Sequence, residues 1–519
     1  MSTFDVVVVG GTPGGLATAI AASRLGRRVV LVEHQAHLGG LSASGLGKSD
    51  IEDRRMIGGL FQEFVGRVRG HYLECDGPGS INRELCRDGY YYEPSVAEAV
   101  FEAMVGEEPG IEVLRSHRLL SVRCDQGRAR EITVSERGSG RARTLSGRVL
   151  VDATYEGDLY AMAGAAFRLG RESREEFGEP HAGVVYFDYE SHEFLPGTTG
   201  GADVRLPAYT YRLCLTTDPA NSAVLEAPPV GYDRARYLPY LDDLGAGRLG
   251  APRHYVDGWG YCPEHFDTLM RALSVTPLPN GKADVNINPR PLAFPFAEEN
   301  AGYVEGGWTE REEICRRHRD LTLGLLFFLQ NDPDVPSAHR VIARGYHLPL
   351  DEFTDNGHFP FQIYVREARR LRGRYTLTEH DVTRLGDGRR TGRHHDAIAV
   401  GEFPVDSFPT RRRQPTDDRV LEGYLGMLAS LTRLYQIPYR IMVPEQLDGV
   451  LVPVAASASH VAYSSIRMEP TWMAMGQAAG VAAHLAIEGD CACGDVPLGE
   501  LQRLLVAQGQ VLDPPGKEE

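Results

Sequence analysis

Residues 5–22 read DVVVVGGTPGGLATAIAA, and this stretch decides the fold. Val6 to Val9 is an unbroken run of β-branched side chains, the pattern of a short strand buried on both faces. A glycine-rich turn follows, and then the alanine-rich run Leu16 to Arg24, which reads as a helix. Strand, tight turn and helix open a βαβ unit. Unpaired N–H groups at the helix start face the turn, where a pyrophosphate can sit. Gly10 makes the turn, Gly15 lets helix and strand approach, and Ala19 keeps that packing close. Thr12 departs from the dinucleotide fingerprint, which has glycine there so that backbone can near the phosphates. Gly11 and Gly14 flank it and keep the loop open, and a threonine hydroxyl can itself donate to phosphate.

The next strand, RRVVLVE, ends in Glu33, an acid placed to accept hydrogen bonds from ribose hydroxyls and to repel a 2′-phosphate. Strand, helix, second strand and terminal acid in one register separate nucleotide binding from a bare structural turn. A second glycine pattern, GAGRLG at 245–250, matches the fingerprint by letter but has no apolar strand before it, so no separate NAD(P)H domain is expected.

At 519 residues the chain is too long for one simple core, and two interleaved domains are expected. Hydrophobic content of 42% and charged content of 24% are those of a globular protein. A net charge of −16 argues against nucleic acid or an anionic membrane as partner. The arginine runs at 369–374 and 411–413 read as solvated or salt-bridged faces. No apolar run approaches the ~20 residues of a membrane span, and the first buried strand follows Met1 almost at once, so a cytoplasmic protein is expected. Eight scattered cysteines suggest no disulfide framework, and the lack of C-x-x-C leaves no flavin–dithiol relay. Cys491 and Cys493 read as surface thiols, and no metal site is expected.

Residues 111–152 show short β-rich runs, read as a parallel strand, a small antiparallel meander and a return strand ending in Asp152, Ala153 and Thr154. From about 180 to 425 the texture changes to proline, tyrosine and arginine with mixed strands and helices. Nucleotide-domain character returns with a buried strand at Val450 to Val452 and a helix from Pro470, thin enough at Gly476, Ala479 and Gly480 to lie against a sheet or cofactor. The expected organisation is a discontinuous α/β nucleotide domain (1–179 and 426–490), an inserted mixed α+β substrate domain (180–425), and a tail (491–519), frayed after Leu505.

These blocks carry a resemblance. The N-terminal turn with Glu33, HLGGLSASGLGKSD (37–50), VDATYEGDLYAMAG (151–164), YVREARRLRGRYTLTEHD (364–381), YQIPYRIMVPE (435–445) and ASHVAYSSIRMEPTWMAMGQAAG (458–480) occur in order over nearly the whole chain. Together they resemble the FAD-dependent oxidoreductases with a glutathione-reductase-type, Rossmann-like FAD fold, in the group often labelled xanthan-lyase-like. The resemblance implies FAD and no single substrate. It implies that Gly10, Gly11, Thr12, Pro13, Gly14 and Gly15 cradle the pyrophosphate and that Glu33, with His34 beside it, meets the adenosine ribose. Gly39 and Gly40 pass close to the pyrophosphate, and Leu41, Ser42 and Gly45 run toward the flavin. Asp152, Ala153 and Thr154 form the strand-end motif beside FAD, and Gly476 lies on the helix whose start faces the flavin. Tyr155 stands where related flavoproteins often have glycine.

Flavin reduction places negative charge that a helix N-terminus or an arginine stabilises. Arg467 is the candidate, against a structural salt bridge to Glu469 or another acid. His460 is the candidate base, against a histidine hydrogen-bonded in a loop. Tyr463 either orients substrate or serves as a wall residue. Lys48 and Asp50 either face the flavin or pair with each other; Arg366 and Glu367 either enter the pocket or belong to an ordinary charged helix. The leading expectation is transfer of hydride from a small polar substrate (a sugar, polyol, amine or natural-product intermediate) to flavin N5, with reoxidation by oxygen or an electron carrier. The alternatives are an NAD(P)H-using flavin monooxygenase and a non-enzymatic FAD-stabilised binding protein.

Overall fold

A computed structural model describes residues 2–251, 262–289, 291–293, 296–383, 393–415, 417, 419–428 and 430–514. The fold is mixed α/β, built on a parallel sheet of Rossmann type. Strand β1 (Ser2–Val9) leads into helix α1 (Pro13–Arg24), then β2 (Val29–Val32) and β3 (Ile111–Leu114), all parallel neighbours. The meander follows as β4 (His117–Asp125), β5 (Arg128–Glu136) and β6 (Ala142–Asp152). β6 is long enough to do two things. One edge pairs with β1 in parallel, Val9 opposite Asp152; the other pairs first with β5 and then with the closing strand. Val6 to Val8 and Val29 to Leu31 are fully buried, as β-branched runs covered on both faces require.

Between β6 and the closing strand the chain builds a second region. A three-stranded antiparallel sheet, β7 (Leu213–Thr216), β8 (Leu273–Pro277) and β9 (Lys282–Ile287), runs in the order β7-β9-β8. A long helix, α2 (Trp308–Asn331), follows. The glycine pattern at 245–250 falls at the end of a short helix, Pro239–Gly245, so no strand leads into it. Residues 364–369 are not helical, so Arg366 and Glu367 do not belong to a charged helix.

The chain returns to the first sheet with β10 (Val450–Leu451), parallel to β6, then α3 (His460–Ile466) and α4 (Glu469–Glu488). α4 crosses α1 through small residues. A side chain at Gly476 would collide with the carbonyl of Gly14, and one at Gly480 with that of Thr18. The Thr18 hydroxyl ties the two helices by donating to Gly14 O (2.9 Å) and Gly476 O (3.0 Å).

Two expectations about the C-terminal end need correction. The stretch after Leu505 is not frayed through residue 514: α5 (Leu498–Ala507) docks Leu501 and Leu505 in the core, and Gly509 O accepts from Gly59 N. Gln510 Nε2 also donates to Ile398 O and Ala474 O. Cys493 is buried rather than a surface thiol, and burial pushes its pKa up to about 12. All eight cysteines are unpaired. Among the described residues no helix is long and apolar enough to cross a membrane.

Candidate active site

The carboxyl ends of β1, β2 and β6 converge beside the start of α1, where ligands of open α/β sheets bind. Gly10 there has φ of +106°, and any side chain on it would meet the Ala153 carbonyl, which explains the turn glycine. Thr12 caps α1: its hydroxyl accepts from Gly15 N (3.2 Å) and donates to Ala153 O (2.8 Å). Its one proton is therefore committed to the strand end rather than offered to a phosphate. Pro13 opens the helix, where its missing N–H costs nothing.

A cleft of about 550 Å³ opens beside this turn, bordered by Gly10, Thr12, Glu33, His34, Gly40, Thr154, Tyr155 and Trp308. Glu33 is buried at the end of β2 and accepts from Gly11 N and Gln35 N. Burial opposes its charge, but His34 at 2.7 Å and these N–H donors hold its pKa below the usual carboxylate range. An ionised acid at the cleft wall suits a ribose diol. Asp152 does not reach the cleft lining. It accepts from Thr154 N, Thr154 Oγ1 and Tyr160 N, so it shapes the strand end, and burial raises its pKa to about 6.

Gly39 and Gly40 follow. A side chain on Gly40 would strike the Tyr155 hydroxyl. That hydroxyl accepts from Leu41 N (3.0 Å) and donates to Glu469 Oε1 (2.6 Å), so Tyr155 joins the double-glycine loop to the start of α4. Ser42, Ser44 and Gly45 continue buried toward the second region. Burial raises the Glu469 pKa to about 8, which keeps it protonated near neutrality.

Whether a dinucleotide fits here can be judged from unmet polar groups. Glu469 Oε2, Thr471 Oγ1 and Trp472 Nε1 are all buried without a hydrogen-bond partner, within the first turn of α4. Buried donors rarely go unpaired. A protonated carboxyl, a hydroxyl and an indole N–H suit the acceptor-rich edge of a bound dinucleotide, and the glycines at 10, 11, 39 and 40 let the loops beside it pack closely on Ala153, Glu33, Phe101 and Tyr155. Gly14 and Gly476 contribute differently, through the α1–α4 crossing.

A second cleft, of about 940 Å³, lies where the loop after Gly47, the residues just before α4 and the β7-β9-β8 sheet meet. Its charged border is Lys48, Asp50, Glu52, Arg212, Asp284, Arg366, Asp406 and Arg467. Arg467 is buried. Its Nη1 donates to Tyr364 Oη (2.9 Å) and its Nη2 to Asp406 O (2.6 Å), with Asp406 Oδ2 at 3.9 Å. Its acidic neighbour is thus Asp406, while Glu469 bonds Tyr155. Asp50 pairs with Arg212 (3.2 Å) and not with Lys48. Tyr364, Arg212, Asn286 and Phe408 were not singled out by sequence; each is ordinary locally, and only the tertiary fold brings them together.

His460 and Tyr463 lie behind this cleft and not on its lining. His460 Nδ1 is 2.7 Å from Glu367 Oε2, and its backbone N–H donates to Glu172 Oε2. The Tyr463 hydroxyl donates to Val454 O (3.3 Å). Arg370 joins the same cluster through Glu172 (2.7 Å) and Glu367 (2.8 Å).

A family model described as FAD dependent oxidoreductase matches residues 5–505, and its description carries no xanthan-lyase-like label. No curated protein matches the chain. Among solved structures, a geranylgeranyl bacteriochlorophyll reductase-like protein from Thermoplasma acidophilum is 11% identical over 98% of this chain and 85% of its own, with a TM-score of 0.35. The OxyS anhydrotetracycline hydroxylase from Streptomyces rimosus is 19% identical over 36% of this chain, TM-score 0.23, and L-proline dehydrogenase from P. horikoshii is 16% identical over 33%, TM-score 0.19. The chain spans only 41% and 25% of the lengths of those two proteins. At these TM-scores the likenesses carry no argument about chemistry.

Proposed function

The chain belongs to the FAD dependent oxidoreductase family, and on that footing we propose that it oxidises a small polar organic molecule held in the cleft between Lys48 and Arg467. It is an FAD-dependent enzyme; the substrate, the hydride route and the acceptor are the proposal. The observation that carries it is the meeting, around one cleft, of the loop after Gly47, the residues leading into α4 and the β7-β9-β8 sheet. When bound, FAD supplies the hydride acceptor.

The chain's own groups divide the remaining work. Arg467, buried immediately before α4, adds positive potential on the helix-start side of the cleft. Its hydrogen bond to Tyr364 Oη fixes a hydroxyl at the cleft wall, which we assign to donating a hydrogen bond that orients the substrate's polar group. The pairing of His460 with Glu367 supports a positioning role for the histidine: Glu367 also meets Arg370, and together they brace the segment that carries Tyr364 and Arg366. Oxygen or an electron carrier completes the cycle. Eight free cysteines support a reducing, cytoplasmic setting.

The test is direct. Purified protein should absorb at roughly 450 nm from bound flavin, and an anaerobic metabolite screen should find a compound that bleaches it. Tyr364→Phe should keep the flavin and slow that bleaching. Rapid bleaching by NADPH alone would instead favour a monooxygenase, and a flavin that no reductant or metabolite turns over would favour a binding protein.

A further inference from the structure

Four cationic side chains border the larger cleft; Lys48 is half-buried, and the three arginines differ in how their charge is met. Arg212 is satisfied by Asp284 (2.8 Å) and Asp50 (3.2 Å). Arg467 has Asp406 within 4 Å. Arg366 is 1% exposed and makes no ion pair among the described residues. Its acceptors are all neutral: Ala208 O (2.7 Å), Thr210 Oγ1 (3.0 Å) and Asn286 Oδ1 (3.3 Å). Its guanidinium lies over two rings, 3.5 Å from the centroid of Phe408 and 4.2 Å from that of Tyr364.

A buried cation without a counter-ion is an expensive arrangement. Here burial, with Arg467 nearby, pushes the Arg366 pKa down to about 9. Charge of this kind at the wall of a substrate cleft is matched when a ligand brings the opposite sign. The planar fork suits a carboxylate.

We propose that Arg366 anchors a carboxylate carried by the substrate, so that the molecule oxidised is a small organic acid. The inference rests on the flavoenzyme reading above. Arg366 is the residue for this task because its bonds run to Ala208, Thr210 and Asn286, on the sheet side of the cleft, whereas Arg467 sits on the α4 side. A single negative charge is the better match than a doubly charged phosphate. Asp50, Asp284 and Asp406 share the border and would repel the second charge. Phe403, Phe408 and Tyr424 on the same border favour an apolar body behind the acid.

The experiment is calorimetric titration of the FAD-loaded protein, with flavin difference spectra, using phenylacetate against phenylacetamide and 3-phenylpropionate against its amide, with formate and acetate as minimal acids. The acids should bind at least about tenfold more tightly than the amides, the worth of one charge-assisted hydrogen bond. Arg366→Gln should erase that ratio, and Arg366→Lys should retain part of it. Equal binding of acids and amides, no binding of any acid down to formate, or a ratio that survives Arg366→Gln each overturns the proposal. Equal binding by the wild type overturns the proposal even where a variant fails to fold, and where Arg366→Gln does not fold, Arg366→Lys, which should keep only part of the ratio, assigns it to Arg366. Failure of the flavoenzyme reading looks different: the protein takes up no FAD, and titration of the FAD-free chain still reads the acid-to-amide ratio.

Discussion

Arg366 and Arg370 lie four residues apart in one segment, both almost wholly buried, and their surroundings are opposite. Behind the cleft, Arg370 is bracketed by Glu172 and Glu367, and although burial opposes its charge, those acids hold its pKa above the usual range. At the cleft wall, Arg366 has only neutral acceptors and aromatic faces, and its pKa falls. The first is a closed network that fixes backbone. The second leaves its charge for something that enters. Burial alone therefore says little about whether an arginine is structural or ligand-binding; the presence of a paired acid decides.

The largest effect should come from breaking the closed network. Arg370→Met removes the arginine that Glu172 and Glu367 share in the core and should cost about 3–5 kcal/mol, as removal of one partner of a buried ion pair does. Denaturant unfolding monitored by circular dichroism measures it, and a loss under about 1 kcal/mol would erase the distinction drawn between the two arginines.

Glu469 sharpens the comparison from the acidic side, since it too is buried without a counter-ion. Its folded pKa of about 8 lies above the ordinary 4.5, so the stabilisation from its protonated form is complete below pH 4.5 and is lost as pH rises through 8. Each pKa unit is worth about 1.4 kcal/mol. The stability of the FAD-free wild type relative to Glu469→Gln should fall by a few kcal/mol across that window, and a flat difference curve would count against it.

Arg366→Met should change the stability of the FAD-free protein by less than about 2 kcal/mol, because the lost neutral hydrogen bonds are offset by relief of an unmatched charge. The same unfolding assay, set beside Arg370→Met, tests that asymmetry. Thr12→Ala supplies the yardstick of an ordinary neutral cap, at about 1 kcal/mol. Thermal unfolding at one pH suffices.

The nucleotide half of the fold was legible because its signals are local. An unbroken valine run, glycines at 10 and 15 and an acid at 33 each dictate backbone or burial by themselves, and β1, α1 and β2 form there. The meander at 111–152 was readable for the same reason. The cleft was not. Arg212, Arg366 and Arg467 come from three distant segments, and nothing local says which one lacks an acid. The sequence of 364–370 fits an i,i+3 and i,i+4 helix pattern, and tertiary pairing of Thr210 with Tyr364 overrode it. His460 stood out as a histidine near the closing helix, but its partner Glu367 is 93 residues away, so its withdrawal from the cleft could not be read. Glu469 did leave a trace, as an acid before Pro470 in an apolar stretch. Tyr155 left one too, in place of an expected glycine.

The contact between α1 and α4 also sets the order in which the chain can mature. The first helix precedes the surface that covers it by more than four hundred positions. A nascent chain therefore carries an unfinished half-cradle through most of translation, and pairing so remote is slow to form. The half-cradle at Gly10 to Gly15 is complete only once the remote segment that presses Gly476 onto Gly14 has folded against it.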